Sequence, residues 1–139
     1  MSQVSRRTAG ILLVILPTVI FGGGSILTLL INDPQYMQNQ LRQDLWRAGH
    51  AHAGVLLILS LVVLRYVDEA NLSDSLKWIA RGSAPVAAIL LPVAFFFSVL
   101  TPEATEPNGF IYLAYVGAVI LAIGLLLLGI GLLRKPKER

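Results

Sequence analysis

Cysteine is absent from the 139 residues, which excludes disulfides, thiolate metal sites and thiol nucleophiles together. Zinc-finger and thioredoxin-type chemistry go with them. Charge is scarce, with Asp, Glu, Lys and Arg making up 14% of the chain, and histidine is scarcer, with two residues. No Asp or Glu falls inside the long apolar runs, and Ser25, Ser60 and Ser98 within them stand in no nucleophile motif with a base and an orienting acid. The two halves show no internal repeat, so the inverted-repeat signature of many carriers is missing as well. An enzyme is not the expected reading.

What fills the chain instead is apolar sequence: 55% of residues are hydrophobic and the mean hydropathy is +0.72. That composition belongs to a membrane protein, and the apolar runs leave no room for a soluble domain between them, so one domain over 1–139 is expected. Crossing the hydrocarbon takes about 20 apolar residues in a helix that satisfies its own backbone hydrogen bonds. Four segments qualify, over about 9–31, 48–66, 78–100 and 110–133. The expected fold is all-α, a polytopic four-transmembrane-helix bundle. The third span has the loosest boundaries, because Pro85 and Pro92 interrupt a short apolar stretch. Arg6 and Arg7 ahead of the first span resemble the start of a secretory signal, yet the apolar run that follows exceeds a signal's core, which predicts an uncleaved anchor.

Positive charge sets the expected orientation, because Lys and Arg in short connections are retained in the cytoplasm. Arg6, Arg7, Arg65, Lys77, Arg81, Arg134, Lys135, Lys137 and Arg139 fall on one side, against Arg42 and Arg47 on the other. Both termini are thus expected in the cytoplasm, with the chain in a plasma or inner membrane. The pI near 9.6 reflects these membrane-flanking residues, whose partner is the lipid bilayer and not nucleic acid. Trp46, Tyr112 and Tyr115 at outer ends, with Tyr66 and Trp78 at inner ones, form the expected aromatic belts.

Lipid cannot supply a hydrophobic drive for helix association, so close approach through small residues matters more. In the fourth span Gly117, Gly124 and Gly131 recur every seven residues and line one seam. Packing within the bundle is the expected use, with a homodimer interface as the alternative. The run Gly22-Gly23-Gly24-Ser25, Pro17 and Pro92 mark places where helices can kink.

Reactive side chains concentrate in Trp46-Arg47-Ala48-Gly49-His50-Ala51-His52-Ala53-Gly54, at the start of the second span. Ionisable residues inside a span are costly and are functional candidates by default, although His50 and His52 lie only ~3–6 Å below the outer apolar edge at 1.5 Å per residue. Positions two apart on a helix point about 200° from each other, so the pair cannot grip one metal from a regular helix. Each imidazole can instead serve a different neighbour. Small flanking residues would admit a flat cofactor, and Arg47, one turn before His50, is placed to pair with a cofactor carboxylate or with Glu103 or Glu106. Three roles stay open on the residues: structural, haem or other metal binding, and proton handling in a small transporter.

The Gly49-His50-Ala51-His52 motif at the outer end of a helix resembles the His-x-His helices of haem-copper oxidase catalytic subunits, and is similar to small four-span bacterial proteins related to them. The resemblance implies that His50 or His52 is an axial haem ligand in a respiratory setting. With no further histidines for copper, it implies a single-histidine haem or a bis-histidine haem shared across a homodimer, and not oxygen reduction. An accessory or assembly subunit of a larger membrane complex is the alternative that needs only apolar spans, a glycine seam and short loops.

Overall fold

The computed structural model describes residues 1–135, so Lys137 and Arg139 lie outside the described residues. Among these the chain is all-α: α1 (Gln3–Asn32), a short helix α2 (Pro34–Gln38), α3 (Gln40–Tyr66), α4 (Asp74–Ser98) and α5 (Tyr112–Leu133), the last entered through a 3₁₀ turn at Gly109–Ile111. α1, α3, α4 and α5 are each long and apolar enough to cross a membrane. The protein is a multi-pass four-helix membrane bundle, in which α4 packs most extensively on α5 and α3, while α1 packs chiefly on α3. The α3–α4 connection shares one end of the bundle with Ser2 and Lys135: Ser2 N–H donates to Asp68, and the Asn71 side chain donates to the Lys135 carbonyl.

Capping explains where the helices exceed the apolar runs. Ser2 accepts from Ser5 N–H, starting α1 at Gln3, and Ser73 with Asp74 behind it starts α4 four residues before the expected Trp78. Asn39 accepts from Arg42 N–H and starts α3 at Gln40, eight residues outside the apolar stretch. α2 was not visible in the hydropathy. It follows from Asp33-Pro34, where the Asp33 carboxylate takes the Gln35 and Tyr36 amides and proline occupies the first helical position. α1 runs unbroken through Pro17 and its glycines, as α4 does through Pro85 and Pro92.

Two apolar clusters hold α3, α4 and α5 together, one around Val63, Val67, Ala80, Ala84 and Leu128, the other around Leu56, Ala87 and Leu91. The glycine seam of α5 makes this contact. A methyl group on Gly117 would overlap Leu91, one on Gly124 would overlap the Ser83 side chain, and one on Gly131 would come within 2.6 Å of Leu72. All three glycines therefore face this chain's own α4 and α3–α4 connection, where missing side chains let the backbones approach. α1 is the peripheral helix: it buries only Ser5 and Leu12, and its apolar contacts run along one stripe through Ala9, Leu16 and Val19 to Leu57, Leu61 and Leu64.

Candidate functional site

The N-terminal half of α3 carries both histidines, and the helix sends them to different neighbours. His50 lies on the glycine run of α1, where a Cβ built on Gly23 would fall 2.8 Å from His50 Nε2 and 2.9 Å from Cε1. Gly23, with Gly22 beside it, thus leaves room for the imidazole to lie against α1. His52 faces the other way, with its ring 5.2 Å from Phe95 of α4, and its Nδ1 lies 2.7 Å from the Ala48 carbonyl. A carbonyl only accepts, so Nδ1 is the donor of this bond, which points Nε2 away from Ala48. Gly49, between them in register, brings α3 close to α4: a Cβ there would meet Phe96 at 3.0 Å and Phe95 at 3.2 Å. Gly54 is looser, with Val19 of α1 at 3.8 Å.

Arg47 does not reach Glu103 or Glu106. Its guanidinium bonds Asp44 at 2.8 Å and the Gln43 carbonyl at 3.1 Å, both on its own helix, and it is exposed. A partner three residues away on the same helix face needs no loop to be ordered, so the local pair forms first. Among the described residues no group of three or more His, Cys, Asp or Glu is arranged to hold a metal. A flat cofactor needs open space beside an imidazole nitrogen, and His50 Nε2 points to Gly23 of α1, 2.8 Å from where a Cβ on that glycine would stand. His52 has the tautomer an axial ligand uses, with Phe95 beside its ring.

Two arginines that the sequence marks only as orientation charges prove to be structural centres. Arg42 is buried and donates to the Val99 carbonyl at 3.1 Å and the Leu100 carbonyl at 3.3 Å, just past the end of α4. Its guanidinium also stands 4.5 Å from the Trp46 ring centre, and Trp46 Nε1 donates to the Phe96 carbonyl. Asn108 takes the next two carbonyls, its side chain on Phe97 and its backbone N–H on Ser98. The last carbonyls of α4 are therefore satisfied from α3 and the α4–α5 loop, with a cation at the negative end of the helix dipole. The i, i+4 spacing of Arg42 and Trp46 was the available signal, since it puts a cation over an indole on one helix face.

At the other end of the bundle Arg81 is buried and donates to Ser5 Oγ at 3.1 Å and to Asp68 at 2.9 Å. Asp68 also accepts from Ser2 N–H at 2.6 Å. Burial alone would raise the Asp68 carboxyl, but hydrogen bonds from the Ser2 backbone, the Ser5 and Ser2 hydroxyls and Arg81 outweigh it and hold it at about 2, below its ordinary 3.8. One carboxylate thereby ties the first turn of α1 to α4.

Comparison with known proteins adds no relative: no protein-family model, no curated protein and no solved structure matches the chain.

Proposed function

We propose that the protein is a non-enzymatic accessory subunit of a larger membrane complex, held in a plasma or inner membrane with both termini in the cytoplasm. One observation carries this reading: the two imidazoles sit on different helices of their own chain, His50 on Gly22-Gly23 of α1 and His52 on Phe95 of α4. The histidine pair then works as a clamp that fixes α3 between its neighbours. Transport within one chain has less support, because the apolar segments between the outer histidines and the inner Arg81 carry no ionisable side chain to relay a proton. Cofactor binding is the second reading, favoured by the Ala48-anchored tautomer of His52, which leaves Nε2 free to ligate a haem or another metal.

A visible spectrum and metal analysis of the purified protein separate the two. The accessory reading expects a colourless, metal-free protein that migrates on native gels with a mass well above its own monomer or dimer. A Soret band that survives His50→Ala and vanishes in His52→Ala would replace it with the cofactor reading. Orientation has its own test: reporters in the 68–74 connection are expected to read cytoplasmic, and tags in 101–109 to read outside. A 68–74 reporter on the outer side would reverse the topology.

A further inference from the structure

At the end of the bundle where α4 stops, α2 and the first turn of α3 face the 102–105 segment of the α4–α5 loop across a cleft of about 460 Å³. Its two walls are bonded to each other. The Asn39 side-chain amide, at the junction of α2 and α3, donates to the Pro102 and Ala104 carbonyls, each at 2.9 Å. The Ala104 N–H donates to the Thr101 carbonyl at 3.1 Å, closing the turn that carries Glu103. α2 is fixed in its turn by the Asp33 cap and by Gln43, whose side-chain amide donates to the Tyr36 and Met37 carbonyls. Gln35 and Gln38, three apart on α2, line one wall, and Glu103 and Thr105 line the other. The lining holds no Lys, Arg or His. Glu103 is exposed and enters none of the ion pairs among the described residues.

We infer that this cleft is a binding site for an alkylammonium group, with the Glu103 carboxylate as its counter-charge and the Gln35, Gln38 and Thr105 side-chain oxygens as acceptors of its N–H bonds. Charge selects the sign of the ligand, since one carboxylate with no cation in the lining repels an anion and matches an ammonium with three donors. Size and ligand count speak against a bare metal ion. The cleft has the volume of a small-molecule site, and a hard cation held by protein oxygens asks for more than one carboxylate. Two sources bring this chemistry to the end of a membrane span: the ethanolamine headgroup of a lipid, and a free amine from the water. A choline headgroup carries the same charge without an N–H and forgoes the donated bonds. The site is independent of whichever role the histidine pair has.

The side-chain amide NMR signals of Gln35 and Gln38, followed in the full chain in nanodiscs, test this. In phosphatidylcholine discs the probes are ethanolamine and putrescine added to the buffer; in a second series phosphatidylethanolamine replaces part of the phosphatidylcholine. Saturable shifts are expected in at least one series, and which series responds identifies the free amine or the lipid. Glu103→Gln keeps the shape, removes the charge and is expected to weaken binding by about fivefold, the upper range for an exposed ion pair. Glu106→Gln, on the same loop but outside the lining, should bind as the parent does. Tetramethylammonium should bind more weakly than ethanolamine, because it offers charge without donors. No saturable shift in either series would overturn the inference. So would undiminished binding in Glu103→Gln, or an equal loss in Glu106→Gln, which would reduce the effect to the general charge of the loop.

Discussion

Gly124→Leu is expected to separate α5 from α4 and to cost about 3 kcal/mol or more, the upper range for forcing atoms into a filled interior. Even the first added carbon would overlap the Ser83 side chain, and in lipid no hydrophobic gain compensates for a wider helix spacing. Gly129 is the control on the same helix, since a Cβ there meets nothing within 4 Å; Gly129→Leu should leave stability within about 0.5 kcal/mol. A rescue pair sharpens the test. Ser83→Gly removes the overlapping atoms and leaves its own Cα 3.6 Å from the new carbon, so Ser83→Gly with Gly124→Ala should be more stable than Gly124→Ala alone. Reversible unfolding in detergent measures all four. Equal stability of Gly124→Leu and Gly129→Leu would mean that the seam does not carry the α4–α5 contact.

That seam was legible in the sequence because it is periodic: glycines seven apart return to one helix face whatever they meet there. The four spans were legible for a similar reason, since apolar length alone fixes them. The divergence of His50 and His52 needed only the helical step, and the structure sends them to α1 and α4 as that step implies. Illegible were the polar partnerships that depend on which ends of which helices meet. Arg42 reads as an outer loop charge until α4 is seen to end beside it, and Arg81 reads as a cytoplasmic flank until the Asp68 connection folds back over it. Arg47 reads as a partner for a cofactor carboxylate or for Glu103 or Glu106, and the structure gives it Asp44, three residues away on its own helix. α2 escaped because five residues carry no hydropathy signal, although Asp33-Pro34 states its start in capping terms.

Asp68→Ala is expected to be the other large disruption, because it strips the buried Arg81 of its only anionic partner among the described residues and leaves it Ser5 Oγ. Removing one member of a buried pair typically costs about 3–5 kcal/mol, chiefly from the charge left behind. Replacing both, as Asp68→Ala with Arg81→Met, should recover part of the loss, since no stranded charge remains. α1 should respond more than the core, for its first turn rests on Ser2 and Ser5 while α3, α4 and α5 keep their apolar clusters. In this chain without native cysteine, a disulfide between introduced Cys at Val19 and Gly54, whose Cβ position lies 3.8 Å from Val19, reports whether α1 stays docked. Acid provides a second reading without mutation. Because the folded Asp68 titrates at about 2, below its ordinary 3.8, its stabilisation is complete above about pH 4 and is lost as pH falls toward 2. The loss amounts to about 2 kcal/mol from the separation of the two values. Asp68→Asn should abolish that acid limb while leaving the rest of the profile in place. An acid limb of the same size in Asp68→Asn, or a crosslink yield unchanged by Asp68→Ala, would place the anchor of α1 elsewhere.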